Sequence, residues 1–378
     1  MITRREVLQG LAFGSLISVF PSLSLARSSL SSKPLVWITL RGAMDGLNVV
    51  VPYGDKDYAG LRPNIGLSLA EVNQLDEFFG LHPALQHGYE LYKKGQASFI
   101  HACATGYRER SHFDGQKVLE NGTLDPMAME GWLNRYLSLS QHNQAIAIDS
   151  GIPLIVRGQQ GVSSWYPHKL RAKQKQAELL RELFQSDAEL GENFDSAMAV
   201  DAMASSSSQS KHFNNLMSQA GKFLSTPEGP NVAVLELSGF DTHSGQGSVQ
   251  GRLASKLRQL DKGLLALQQS LGERWSETIV IAASEFGRTA KENGTKGTDH
   301  GTGNALLLFG GALNQSKVTA NWPGLSKESL YQERDLAATM DIRSILKGVL
   351  IEHMGATQPQ VEAVFPDSVD LKPLAGVV

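Results

Sequence analysis

Hydrophobic positions along the chain fall into short apolar runs separated by polar, glycine-containing loops. Leu35 to Leu40, Ala97 to Ala102, Asn231 to Leu237, Ile279 to Ala283 and Ala305 to Phe309 are each five to seven residues of mostly apolar or β-branched side chains. Runs this short, apolar at consecutive positions rather than at alternate ones, read as strands buried on both faces. Ala145 to Ile148 and Pro153 to Val156 are shorter strand candidates, and an amphipathic helix is expected after the Leu81-His82-Pro83 corner. Leu253, Leu257, Leu260, Leu264, Leu267 and Leu271 recur every three or four positions, the stripe of a helix packed on a core. Strands alternating with helices predict an α/β fold. From about residue 169 to 225 the pattern is polar and helical with a serine tract, Ser205 to Ser208, and is read as a helical insertion on the same domain.

What lies beyond each strand changes the picture from fold to chemistry. The first run leads into Arg41-Gly42-Ala43-Met44-Asp45-Gly46, the second reaches Ser111-His112-Phe113-Asp114, the third ends in Gly239-Phe240-Asp241-Thr242-His243, and the fourth in Ser284-Glu285-Phe286-Gly287-Arg288. Asp299-His300 precedes the fifth. In open α/β sheets ligands bind outside the carboxyl ends of the strands, so carboxylates and imidazoles after several strands point to one shared rim. Such donors without cysteines suit a divalent ion, Zn²⁺ first, with Mn²⁺, Mg²⁺ or Ca²⁺ as alternatives. Ser111, three residues before Asp114, resembles a capping box, and is either a helix cap alone or a cap recruited as nucleophile or metal ligand. His112 and Asp114 at the same helix start are open to a purely structural role. Arg288, Arg108 and Arg110 are available to contact an oxyanion.

The 378 residues carry a net charge of −3, with 41% hydrophobic and 19% charged positions. No basic excess suggests nucleic acid. Cys103 is the single cysteine, so no internal disulfide framework exists. Arg4-Arg5 followed by a mostly apolar stretch, Gly10 to Leu25, and small residues at Ser24 and Ala26 read as a twin-arginine leader over residues 1–26. The expected partner during export is therefore the twin-arginine translocase, and the expected location is periplasmic or secreted. With Pro21 inside it, the stretch is too short and interrupted to predict a stable membrane span.

The order RGAMDGLN (41–48), LHP (81–83), RSHF (110–113), FDTH (240–243), SEFGRT (284–289) and TDHG (298–301) behind such a leader resembles the domain-of-unknown-function 1501 family, regarded as part of the alkaline-phosphatase-like superfamily. The resemblance spans nearly the whole chain after the leader. It implies an alkaline-phosphatase-like, mostly parallel sheet sandwiched by helices, with a metal centre at the strand ends, Asp45, Asp241, His243, Glu285 and His300 at metal-binding positions and Ser111 at the nucleophile's. Two departures accompany it: the Asp241…His243 spacing is two rather than four, and Glu285-Phe286 stands where an Asp-His pair is usual. The function expected is hydrolysis of a small anionic phosphate or sulfate ester by Ser111 with Arg288. A metal-activated water with Ser111 only as a cap, and a non-catalytic metal- or anion-binding protein with a degraded site, are the alternatives.

Overall fold

A computed structural model describes residues 33–140, 143–167, 210–227 and 229–378, with single helical positions between 181 and 200. The leader expected over 1–26, the serine tract and most of the helical insertion expected over 169–225 lie outside the described residues. In chain order the strands are β1 (Leu35–Arg41), β2 (Val50–Val51), β3 (Asn73–Gln74), β4 (Gly80–Leu81), β5 (Ala97–Ala104), β6 (Ala145–Ala147), β7 (Ser163–Ser164), β8 (Val232–Ser238), β9 (Ile279–Ala283), β10 (Asn304–Phe309), β11 (Val318–Thr319) and β12 (Met340–Asp341). The longer helices are α1 (Gln86–Lys93), α2 (His112–Asn121), α3 (Trp132–Leu139), α4 (Phe213–Ser225), α5 (Arg252–Leu271), α6 (Ile342–Glu352) and α7 (Gln358–Val364).

Among the described residues nine strands form the main sheet in the order β11-β5-β10-β9-β1-β8-β6-β7, with β12 also on β5. β1 pairs in parallel with both neighbours, Ile38 opposite Leu235 on β8 and Ala282 on β9. Only β10 runs the other way, antiparallel to β9 and to β5. No crossover helix separates β9 from β10, only the loop 284–303. A strand that returns without a crossover can pair only antiparallel to the one before it. The reversal puts the start of β10, just after His300, on the edge where β1, β5, β8 and β9 end.

The apolar runs alternate between the two faces of this sheet. Val36, Ile38 and Leu40 of β1, Ala233, Leu235 and Leu237 of β8, and Val280 and Ala282 of β9 face one core, which the leucine stripe of α5 and the apolar faces of α4 and α1 complete. Leu35 and Trp37, Val232 and Val234, and Ile279 and Ile281 face a second core closed by α3, α6 and α7. Burial on both faces removes the polar alternation a half-exposed strand would show. All six stripe leucines of α5 are at most 2% exposed. Truncating one of them to alanine should cost about 2–5 kcal/mol, because the packed site cannot collapse around the cavity.

Two local expectations change. Pro153 to Val156 contains a 3-10 turn, Leu154–Val156, in place of a strand; Pro153 donates no backbone N–H to a ladder. Ser111 sits at the N-cap of α2, but its side chain makes no capping hydrogen bond, so the capping box is not formed. Asp341 does cap α6, accepting from the Arg343 backbone N–H at 2.8 Å and binding the Arg343 guanidinium as well. Among the described residues no helix is long and apolar enough to cross a membrane.

Candidate metal centre

Five segments meet at the common edge: the turn after β1, the start of α2 behind β5, the turn after β8, the turn after β9 and the loop before β10. Gly42, at φ +112°, lets the first and third of these touch. A Cβ there would stand 2.5 Å from the Asp241 backbone nitrogen, so no side chain fits without moving that strand end. Gly287 plays the same part between the last two, where a Cβ would meet the Gly303 carbonyl oxygen at 1.9 Å. Ala43 and Arg110 also hold positive φ, 55° and 58°, a conformation that is costly for residues with a Cβ and collects at functional sites. Both are used: the Ala43 carbonyl accepts from Arg288, and the Arg110 carbonyl from His300.

His112, Asp241 and His300 offer donor atoms that all lie within 4.8 Å of one another. His243 lies beside this group, its Nε2 3.1 Å from Asp241 Oδ1 and 2.9 Å from His300 Nε2. The proton positions on the three imidazoles follow from their outer partners. His112 Nδ1 donates to Glu285 at 2.6 Å, His243 Nδ1 to Asp299 at 3.1 Å, and His300 Nδ1 to the Arg110 carbonyl at 3.0 Å. Each acceptor is a carboxylate or a carbonyl, so each Nδ1 carries the proton and each neutral ring has its lone pair on Nε2. Two such lone pairs face each other across 2.9 Å, and the buried His112 Nε2 has no hydrogen-bond partner. Lone pairs turned on one point with no proton to share are repulsive unless a cation sits among them. The donor set, imidazole nitrogens plus one carboxylate oxygen, with each imidazole anchored from behind, is the pattern of a zinc-type site.

The surroundings favour the binding forms of Asp241 and His300. Burial alone would raise the Asp241 carboxyl, but the hydrogen bond and charge of Arg288, with His243 and His112 nearby, hold it below the usual carboxylate range. Glu285 is likewise pushed up by burial and brought below its ordinary value by hydrogen bonds, that from His112 foremost. Burial, reinforced by the positive charge of Arg288, lowers His300 and favours its neutral ring. Phe286 closes the inner side, its ring 5.0 Å from that of His112 and 5.4 Å from that of His300. The outer side is open: the side chains of Asp241 and His243 are 46% and 44% exposed.

The structure therefore brings Asp241, His243 and His300 together and gives two expected ligands other places. Asp45 is fully buried in a two-pronged ion pair with Arg62, at 2.6 and 3.0 Å, and accepts a further hydrogen bond from Gln246. Both its oxygens are committed, and Gln246 links it to Thr242 and Thr298 behind the cluster rather than within it. Glu285 touches His112 instead of the donor centre; its oxygens also accept from Gly42 N–H and Ser284 Oγ. Arg288, expected to meet substrate, is buried and spends its donors on the Gly42, Ala43, Phe240 and Thr298 carbonyls and on Asp241. Its guanidinium lies behind Asp241 and donates to Oδ1. Arg108 and Arg110 are also occupied, Arg108 by the Thr105 and Tyr107 carbonyls and Arg110 by Asp335 and Gln332. The sequence position of His112 marks only a helix start, and the structure adds it to the donor cluster. The glutamate in place of an Asp-His pair was the available signal, since a carboxylate there needs an imidazole to hold.

A family model described as "Protein of unknown function (DUF1501)" matches residues 32–365. The chain belongs to the DUF1501 family. No curated protein matches it. Among solved structures, this DUF1501 chain is similar to the C-terminal periplasmic domain of EptC from Escherichia coli in complex with Zn, with 9% identity, 74% of this chain and 73% of that one covered, and a TM-score of 0.41. A second structure of that EptC domain gives 8% identity, 89% and 87% coverage and a TM-score of 0.45. The lipoteichoic acid synthase LtaP from Listeria monocytogenes gives 9%, 82% and 74%, and 0.37.

Proposed function

We propose that this DUF1501 protein is an exported metal-dependent hydrolase of phosphate or sulfate esters, its ion held by His112, Asp241, His243 and His300. The observation that supports this is the convergence of three imidazole Nε2 atoms on Asp241, with every Nδ1 proton already spoken for. A divalent ion bound there supplies Lewis acidity toward the charge that develops on an anionic ester. The chain's own residues do the rest. Glu285, Asp299 and the Arg110 carbonyl fix the three rings, Arg288 fixes Asp241, and Phe286 keeps water from the inner face. The exposed flank of Asp241 and His243 is where an ester enters. Ser111 is the nucleophile in this reading. It directly precedes His112, its hydroxyl makes no cap hydrogen bond, and the first turn of α2 favours an anion beside it.

The donor count favours a second reading. Four protein donors can complete a tetrahedral ion, as in structural sites, whereas catalytic zinc usually keeps one position free. Under that reading the protein binds metal without turning over an ester. Metal analysis of the purified protein followed by a panel of aryl phosphates and sulfates separates the two. The hydrolase reading expects bound metal, turnover, and loss of turnover in Ser111→Ala with metal retained. Metal without turnover of any ester supports the second reading, and protein that takes up no divalent ion overturns both.

A further inference from the structure

A cavity of about 470 Å³ opens beside the metal centre, a size suited to a small organic ligand. Its connection to the centre is Asp299, which lines the cavity and accepts the His243 Nδ1 proton. Asn293 lines it too, donating to Asp299 and to the His243 carbonyl. Whatever fills the cavity lies against the residues that hold one of the proposed ligands in place.

The lining specifies what that is. Leu325 and Leu330 are buried and, with Leu61, give the cavity an apolar floor. Most charges around it are already matched within the protein: Lys327 with Glu333 at 3.0 Å, Arg334 with Asp335 at 3.0 Å, and Glu292 on the backbone N–H groups of Asn64 and Ile65. Lys291 differs. Its exposed ammonium has no ion-pair or hydrogen-bond partner among the described residues. An occupant with an apolar body satisfies the floor, and one anionic group on that body satisfies Lys291.

We infer that this cavity binds the alcohol part of the ester, and that the chain selects esters whose alcohol has an apolar body carrying a second, carboxylate-type anion held by Lys291. The placement of the ester rests on the hydrolase reading; the binding of the anionic alcohol does not. Titration calorimetry of the full chain with 4-(hydroxymethyl)benzoate and with benzyl alcohol tests it. The carboxylated probe should bind about two- to fivefold more tightly than the neutral one, the discrimination expected of a solvent-exposed ion pair. Lys291→Ala should remove that preference and Lys291→Arg should keep it; Lys291 is exposed, so neither change threatens the fold. Equal affinity for the two probes, or no binding of either at millimolar concentration, overturns the inference. A preference that survives in Lys291→Ala also overturns it, because the carboxylate is then bound at the metal centre. Absence of ester turnover leaves all these outcomes readable, so failure of the hydrolase reading and failure of this one are told apart.

Discussion

Replacing Glu285 by glutamine removes one negative charge and little else. The side chain is fully buried; one oxygen accepts from His112 Nδ1 at 2.6 Å and Gly42 N–H at 2.9 Å, and the other lies 2.8 Å from Ser284 Oγ. A glutamine can keep its carbonyl toward His112 and Gly42 and turn its amide toward Ser284, whose hydroxyl already has the Leu40 carbonyl as an alternative acceptor. The fold should therefore survive, and what is lost is the charge behind the imidazole. Outer partners of this kind are worth about 10- to 100-fold in metal affinity, or about 1.4–2.8 kcal/mol. Competition against a zinc chelator, read on wild type and Glu285→Gln, measures it directly. Glu285→Ala should in addition lower stability by about 1–3 kcal/mol for each buried N–H left without an acceptor. Unchanged zinc affinity in Glu285→Gln would refute the orienting role. A Glu285→Gln protein that purifies without metal would refute it in the other direction, by making Glu285 a ligand after all.

Asp45→Asn should cost about 3–5 kcal/mol in chemical denaturation, because it strands the buried Arg62 charge, while zinc stoichiometry stays at the wild-type value; loss of the ion would restore Asp45 to the ligand set. Gly42→Ala should lose both stability and zinc, since its Cβ would press on the Asp241 backbone; a stable, fully loaded variant would show that the contact yields easily. Burial pushes His353 down to about 4, outweighing its hydrogen bond to the Pro34 carbonyl. With the folded value below the unfolded one, stability present above about pH 6.5 is lost as pH falls toward 4, by about 3 kcal/mol in full. In chelator, urea midpoints of His353→Asn should therefore drop less than those of wild type between pH 7 and pH 4.5, and an equal drop would contradict the assignment.

The strand runs and the leucine stripe were legible because burial on both faces and helical spacing are written directly in residue order. So was the rim, since each run is followed by donor-type residues. Strand direction was not: the run Ala305 to Phe309 reads the same whichever way it lies, and only the missing crossover helix in 284–303 makes β10 antiparallel. Polar partnerships were the other gap. Asp45 looks like a ligand until Arg62, in a loop without periodicity, claims both its oxygens. Arg288 looks like a substrate contact until four carbonyls surround it. His112 looks like an ordinary helix-start residue because its partner, Glu285, is 173 positions away. Apolar patterning specifies which face is buried; it does not specify which charge meets which.

Three imidazoles and one carboxylate, from three different segments, are proposed to share a single ion. X-ray absorption at the zinc edge of the zinc-loaded full chain counts them. A first shell of three imidazole nitrogens is expected, falling to two in His112→Ala. A shell built from oxygens, or one that keeps its imidazole count in His112→Ala, would contradict it.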